Sequence, residues 1–274
     1  RRVEARIKWI VLASGKEGRG AMAEHSACSE GEFVKRMNER AAGLGMKNTH
    51  FEDCCGLTES DTHYTSAHDV AIMSRELVTK YPKVLEYSSV WMENITHETA
   101  KGASEFCLTN TNKLIRSYDG CVGLKTGSTS VAKYCVSAVA QRNGITLISV
   151  VMTAPDYKVR FSDAAAMLNL GFGSCKLYAD SEPEELPQIP LEGGVADQAA
   201  CEYAEEFRYL DTTGASLENI EKKIVLPDSV QAPVAKGDKA GTAEYYLDGQ
   251  KIGSVDLLFD QNYRKTRYID CMKK

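Results

Sequence analysis

The sequence predicts a mixed α/β domain followed by a small all-β domain, and three observations support this fold class. Helical and strand-like patterns mix through the first two-thirds of the chain, a polar, Pro-rich segment follows over 181–187, and short strand-like runs fill the remainder. We therefore place the first domain at 1–173 and a β-sandwich-like second domain at 174–274. A length of 274 residues with 43% hydrophobic content is enough for one large core or two unequal ones.

Two capping boxes mark helix starts in the first domain. Ser29-Glu30-Gly31-Glu32 has the S-x-x-E pattern and precedes apolar residues at helical spacing, and Gly45 is expected to end that helix. Ser66-Ala67-His68-Asp69 opens a second helix, and Pro82 marks its end. The inward face of this second helix is expected to hold Val70, Met73 and Leu77.

A β-hairpin and a long helix complete the first domain. Two β-rich runs, Tyr134–Ala140 and Ile145–Met152, flank Asn143-Gly144, which is a strong signal for a tight hairpin turn. The next segment, Asp156–Leu170, has the pattern of a helix, and we expect Gly171 to end it.

The second domain has strand signals only. Its two longest β-rich runs are Thr242–Leu247 and Gln250–Phe259, and Asp248-Gly249 joins them as a second tight hairpin. This pattern favours an all-β unit.

Composition and charge exclude two classes of function. A net charge of −5 disfavours nucleic acid as the main partner, because proteins that bind it carry a basic excess. The longest apolar stretch, Ile145–Ala154, is far shorter than the roughly 20 residues that span a bilayer.

Nine cysteines are an odd number for a disulfide framework, and taken alone they favour a reducing compartment. The chain has no C-x-x-C pair and no paired-histidine spacing, so no zinc or other metal site is expected. The adjacent pair Cys54-Cys55 is interpreted as small buried side chains kept as thiols.

The segment Lys125-Thr126-Gly127 carries the first chemical signal, although three such residues often occur by chance in a solvated turn. Longer blocks surround it, and together they resemble the penicillin-binding D-alanyl-D-alanine carboxypeptidases, the low-molecular-mass serine peptidases of family S11. The resemblance extends from about Ala13 to the end of the chain. It rests on the segments 33–57, 64–69, 110–127, 160–172, 232–238 and 248–249.

This resemblance implies a transpeptidase/β-lactamase-like fold and removal of the terminal D-Ala from peptidoglycan pentapeptide stems through a serine acyl-enzyme. It implies no metal or organic cofactor, and β-lactam antibiotics as inhibitors. It also implies work outside the cytoplasm, at the cell wall and the outer face of the cytoplasmic membrane, which we prefer to the cysteine argument. Any membrane contact would need the family's C-terminal anchor helix, which this sequence does not contain.

The resemblance also implies the site residues. Lys125 is the expected catalytic cation, Thr126 the ligand of the substrate carboxylate, and Gly127 and Ser128 the adjoining substrate wall. Arg160 is expected to help bind that carboxylate, with a helix-surface arginine as the alternative. Ser14 is the expected catalytic serine of the family's S-x-N motif, in which Lys16 replaces the asparagine, and we expect altered geometry there.

The family's nucleophile motif, S-x-x-K, has a single literal match, Ser130-Val131-Ala132-Lys133. This match lies in a β-rich run, where residues three apart point to opposite faces. We therefore expect the chain to lack the nucleophile, either as a piece truncated at its N-terminus that self-associates over the truncated face, or as an inactive relative. The alternatives are a non-catalytic protein that binds peptidoglycan or a partner protein, a β-lactamase, which the C-terminal β domain disfavours, and a fragment without function.

Overall fold

The computed structural model describes residues 2–58, 60–99 and 102–268, and the chain divides into two compact units, Arg1–Gly173 and Ser174–Lys274. The helices described in the first unit are α1 Arg2–Ala13, α2 Lys16–Ala27, α3 Glu30–Gly43, α4 Ala67–Lys80, α5 Val84–Ser88, α6 Leu114–Ser117 and α7 Tyr157–Ser174. Its strands are β1 Met92–Thr99, β2 Gly102–Thr109, β3 Cys121–Thr129, β4 Lys133–Arg142 and β5 Ile145–Ala154. Within the described residues, no helix combines the length and apolar character needed to cross a membrane.

Both capping boxes begin helices as expected. The Ser29 hydroxyl accepts a hydrogen bond from the Glu32 amide at the start of α3, and Ser66 accepts one from the Asp69 amide at the start of α4. Gly45 adopts a positive φ of 76° just beyond α3, a backbone conformation that favours glycine at a helix end. Local capping chemistry therefore fixes these boundaries.

The predicted inward face of α4 is wrong in part, because Met73 is 39% exposed. The buried residues of this helix are instead Asp69, Ser74 and Val78. The buried carboxylate of Asp69 accepts from the Thr49 hydroxyl at 2.7 Å, and the Ser74 hydroxyl pairs with that of Ser137 at 2.8 Å. Polar side chains with partners of this kind can be buried at little cost, which a hydrophobic pattern does not anticipate.

The sheet of the first unit is antiparallel, in the order β3-β4-β5, with β3 at one edge. The predicted turn Asn143-Gly144 joins β4 to β5, and both residues have positive φ. Helix α7 packs Phe161, Ala164 and Leu168 into a core cluster with alternate residues of β4, while Val139 on β4 packs with Val78 of α4 in another cluster. The sheet is therefore covered by helices on both faces.

Helix α7 does not end at Gly171, as the sequence predicts, but continues to Ser174. A Cβ at position 171 would lie 2.7 Å from Cδ1 of Leu147 on β5. This glycine therefore allows the helix to approach the sheet, and it does not act as a cap.

The sequence analysis does not predict α1 and α2, the two helices at residues 2–13 and 16–27. A sharp connection at Ser14 and Gly15 separates α1 from α2, and Ser14 has a positive φ of 56°. A Cβ on Gly15 would lie 2.7 Å from the Trp9 indole, so only glycine fits against this ring without a shift. The β1–β2 hairpin was likewise not predicted.

The second unit is built almost entirely of strands, as predicted. They are β6 Lys176–Ala179, β7 Ile189–Glu192, β8 Gln198–Ala199, β9 Cys201–Tyr203, β10 Arg208–Asp211, β11 Ile220–Val225, β12 Val230–Gln231, β13 Lys239–Leu247 and β14 Gln250–Phe259. They form sheets in the orders β11-β13-β14-β9, β12-β7-β8 and β10-β6, and Asp248-Gly249 makes the expected β13–β14 hairpin. The core of the second unit includes a stacked pair, Phe207 and Tyr245, with ring centroids 3.7 Å apart.

The glycine that precedes β3 provides a test of this fold. Gly120 has a positive φ of 76°, and an added Cβ would overlap the backbone oxygen of Gln141. We expect Gly120→Ala to lower the free energy of unfolding of the first unit by about 2 kcal/mol or more. The fluorescence of Trp9 and Trp91, the two tryptophans of the chain, reports this during urea denaturation.

Gly31→Ala is the matched control for this substitution, because Gly31 lies inside α3 and an added Cβ there meets no atom within 4 Å. It should raise stability by about 0.5–1 kcal/mol through helix propensity. Equal unfolding midpoints for the two variants would contradict the described conformation at Gly120.

Candidate active site

A cleft of about 450 Å³ runs along β3 and collects most of the predicted site residues. The α1–α2 connection contributes Ser14, the loop after α3 contributes residues 55–57, and α7 contributes Arg160. Thr126, Gly127 and Ser128 on β3 form the wall between them. Segments distant in sequence therefore meet at one edge of the sheet.

The side chains of Ser14 and Lys125 are in direct contact, although 111 positions separate them in the chain. The Lys125 ammonium donates a short hydrogen bond to the Ser14 hydroxyl and a second one, of 3.1 Å, to the Thr126 carbonyl. A serine hydroxyl beside a lysine amine is an arrangement that can move a proton.

The charge of Lys125 is disfavoured where it lies. Burial, together with the positive charges of Arg19 and Arg160, lowers its pKa from 10.5 to about 8. Because the pKa is lower in the folded chain, the unfolded chain binds this proton more tightly between pH 8 and 10.5. The contribution of Lys125 to the free energy of unfolding therefore rises with pH through that window.

The edge of β3 offers both a polar group and open space. The Thr126 hydroxyl donates to the Thr111 hydroxyl at 2.7 Å, which fixes its orientation at the cleft. An added Cβ at Gly127 would meet no protein atom within 4 Å. Because β3 has no neighbouring strand on this side among the described residues, its free backbone groups can pair with an extended ligand.

Arg160 is buried, so the alternative of a helix-surface arginine is wrong. Its guanidinium donates to the Gly127 carbonyl at 3.1 Å and to the Cys135 carbonyl at 3.3 Å, and therefore links α7 to β3 and β4. Asp156 accepts hydrogen bonds from the first amides of α7 and so fixes the start of this helix, one turn before Arg160. Ser128 lines the cleft and is exposed.

Arg19 is a cleft residue that the sequence analysis missed. It lies one turn into α2, donates a short hydrogen bond to the Cys55 carbonyl, and approaches the Ser14 carbonyl at 3.4 Å. Sequence reasoning missed Arg19 because it did not predict α2, and it did not predict α2 because this segment has little hydrophobic periodicity. None of the described residues that line the cleft is acidic, so Arg19 and Arg160 make it cationic.

The buried Nε atoms of Arg19 and Arg160 find no hydrogen-bond partner among the described residues. A buried guanidinium nitrogen without a partner is costly. The cleft is suited to an anion such as a carboxylate because Arg19 and Arg160 line it and no acidic residue does among those described.

The sequence raised expectations for two motifs, S-x-N at residues 14–16 and S-x-x-K at residues 130–133. Lys16 begins α2, and its side chain lies outside the described residues. The S-x-x-K match was predicted to lie in a strand, and this prediction is wrong. Residues 130–132 form the exposed turn between β3 and β4. Neither Ser130 nor Lys133 lines the cleft.

Comparison with known proteins places these features in a family context. The family model described as D-alanyl-D-alanine carboxypeptidase matches residues 2–156, and the model described as the C-terminal domain of penicillin-binding protein 5 matches residues 177–265. Among curated proteins, D-alanyl-D-alanine carboxypeptidase DacF of Bacillus subtilis is 33% identical over 99% of this chain and 69% of its own length. DacA of Escherichia coli K12 is 31% identical over 92% of this chain and 61% of its own length.

Solved structures match most of the chain in fold. Penicillin-binding protein 5 of Haemophilus influenzae has a TM-score of 0.68 and 27% identity, covering 95% of this chain and 74% of its own. A second structure, PBP3 of Streptococcus pneumoniae, has a TM-score of 0.72 at 22% identity, covering 95% and 77% of the two chains. These matches confirm the predicted mixed α/β domain with a C-terminal β domain.

The lowered pKa of Lys125 can be measured by NMR titration of labelled lysine, with its signal assigned by loss in Lys125→Met. We expect a midpoint near pH 8. Arg19→Gln should raise this midpoint, because it removes a nearby positive charge. Arg36→Gln, at an exposed arginine that contacts Ser26 and Glu32, should leave it unchanged. A Lys125 midpoint at the ordinary value would contradict the burial described here.

Proposed function

The chain belongs to the D-alanyl-D-alanine carboxypeptidase family, and from that premise we propose that its cleft binds the terminal D-Ala-D-Ala of a peptidoglycan stem peptide. The family's reaction is serine-type removal of the last D-Ala. The observation that carries the proposal is the edge of β3, where Thr126 and Gly127 lie between Arg160 and the Ser14–Lys125 pair.

Recognition of the peptide's terminal carboxylate is the first step. A carboxylate in the cleft would accept from the Thr126 hydroxyl, which would turn away from the Thr111 oxygen and accept a hydrogen bond from the Thr111 hydroxyl in exchange. The carboxylate would also fall within the field of Arg19 and Arg160. Hydrogen bonds between a carboxylate and a cation or hydroxyl are about twice as strong as neutral ones. The open edge of β3 beside Gly127 would hold the peptide backbone as an added strand. Together these contacts select an extended peptide that ends in a free carboxylate.

Proton transfer is the second step. Cleavage requires a serine hydroxyl to lose its proton and the departing D-Ala amine to gain one. With a pKa of about 8, Lys125 is about one-tenth neutral at pH 7, so it can accept as well as donate a proton. Ser14 and Lys125 would serve this proton transfer only where a serine supplies the attacking oxygen: that serine would form the acyl bond, the D-Ala amide bond would break, and the Ser14 hydroxyl in contact with the Lys125 ammonium would pass a proton to the departing amine.

A second candidate function is binding of stem peptides without turnover. The observation that favours it is that Ser130 lies in an exposed turn and that neither Ser130 nor Lys133 lines the cleft, although Thr129 and Ala132 beside them do. The S-x-x-K pattern occurs nowhere else in the sequence. A β-lactamase is disfavoured by the match of residues 177–265 to a carboxypeptidase C-terminal domain.

Location and partners follow from the same premise. We place the protein outside the cytoplasm, at the cell wall, because penicillin-binding proteins of this family act on peptidoglycan there. β-Lactam antibiotics are the expected inhibitors.

Intact-mass spectrometry with excess penicillin separates the two candidate functions. We expect no covalent adduct on the folded chain, because no S-x-x-K serine reaches the cleft among the described residues. An active relative, treated in parallel, should gain one penicillin mass. Peptide mapping and two variants, Ser14→Ala and its matched control Ser130→Ala, would locate any adduct.

An adduct that disappears after prior denaturation and in Ser14→Ala, but persists in Ser130→Ala, would contradict binding without turnover. It would assign the nucleophile to Ser14. Release of D-Ala from a stem pentapeptide should then be lost in the same variant, which provides an independent readout.

A further inference from the structure

Two thiols and a carboxylate converge behind one wall of the cleft. The loop after α3 carries the adjacent residues Cys54 and Cys55, whose sulfur atoms lie 3.6 Å apart. The Cys54 thiol also donates to a carboxylate oxygen of Glu30, from the first turn of α3, at 3.2 Å. Ligand atoms of all three side chains lie within 4.8 Å of one another.

These separations are close to those that a single tetrahedral ion would require. Zinc–sulfur bonds of about 2.3 Å place two thiolates about 3.8 Å apart, and a carboxylate oxygen at about 2.0 Å lies about 3.5 Å from each sulfur. The Cys54–Cys55 and Cys54–Glu30 distances of 3.6 and 3.2 Å differ from those values by a few tenths of an ångström, and the Glu30 and Cys55 ligand atoms lie within 4.8 Å of each other. An ion could therefore enter through side-chain movements that bring Glu30 and Cys55 to bonding distance.

The loop that presents the two thiols is held in place independently of them. The carboxylate of Asp53 accepts hydrogen bonds from the amides of Leu57 at 3.2 Å and Thr58 at 2.8 Å, and short ones from Cys55 and Gly56. On the opposite side, Arg19 donates to the Cys55 carbonyl. Because these contacts use the backbone of the loop, the sulfur atoms stay available to a ligand.

We propose that Glu30, Cys54 and Cys55 bind one thiophilic divalent cation of the zinc class. On binding, both thiols lose their protons to solvent, so the ion is held by two thiolates and one carboxylate, and two protons are released. Three protein ligands leave the fourth position of a tetrahedral ion open to water or to another ligand. The softness of two thiolates selects zinc or cadmium over magnesium or calcium.

The site adjoins the cleft that binds the stem peptide. Cys55, Gly56 and Leu57 line that cleft, and they follow Cys54 directly in the chain. A bound ion would tie this wall to the start of α3 through Glu30. The proposal is nevertheless independent of the family's reaction, because it concerns only the binding of an ion.

Sequence spacing excluded a zinc site because it searches for C-x-x-C pairs and paired histidines. Here the third ligand comes from the start of α3, 24 residues before Cys54. The folded structure therefore provides evidence for a metal site, and the spacing of cysteines alone does not provide that evidence.

The test is a cadmium titration of the full chain, reduced with a phosphine and freed of metal with a chelator. Ultraviolet absorption from thiolate-to-cadmium charge transfer reports bonding to sulfur. We expect one ion per chain at this site, displaced by zinc. Because loss of an outer-sphere partner alone costs about 10–100-fold in metal affinity, Cys54→Ser and Cys55→Ser should each weaken binding by at least about 100-fold.

Glu30→Gln and a matched cysteine control complete the experiment. Glu30 is exposed, so Glu30→Gln should lower the unfolding midpoint only slightly, through the lost charge in the first turn of α3, and still weaken cadmium binding at least about tenfold. Cys107→Ser, at an exposed cysteine on β2, should bind cadmium as the wild type does. Wild-type affinity in all three site variants, or an equal loss in Cys107→Ser, would overturn the proposal.

Discussion

The contact between the Lys125 ammonium and the Ser14 hydroxyl is the interaction on which the candidate site depends. It joins the α1–α2 connection to the edge strand β3 across 111 positions of the chain. Gly15, packed against the Trp9 indole, allows the sharp connection that presents Ser14. The packing of α1 and α2 therefore determines whether Lys125 on β3 has the Ser14 hydroxyl as a partner for proton transfer.

The electrostatics of the cleft oppose those of the whole chain. The net charge is −5, yet the cleft is lined by Arg19 and Arg160, adjoins Lys125, and contains no acidic residue among those described. Grouping these cations lowers the pKa of Lys125 further than burial alone would. Their mutual repulsion is an energetic cost that an anionic ligand would offset.

Much of this architecture could be predicted from local signals. Capping serines and the Asn143-Gly144 turn each encode their structure in a few neighbouring residues, whereas the roles expected of Lys125-Thr126-Gly127 came from the family resemblance. Three features required the folded chain. Arg19 lies on a helix without a clear hydrophobic stripe, Gly171 packs against Leu147 instead of ending α7, and Glu30 meets Cys54 from another element. Each of these depends on tertiary contacts that spacing along the sequence does not record.

Calorimetric titration tests most directly whether this cleft recognises a terminal carboxylate. It compares a short peptide that ends in D-Ala-D-Ala with the same peptide carrying a C-terminal amide. The account predicts binding of the acid and at least about tenfold weaker binding of the amide, since the amide carries no negative charge to pair with the cations of the cleft. Thr126→Val should reduce this preference, whereas Thr146→Val, at an exposed threonine on β5, should not. Equal affinities for the acid and the amide in the wild-type protein would contradict it.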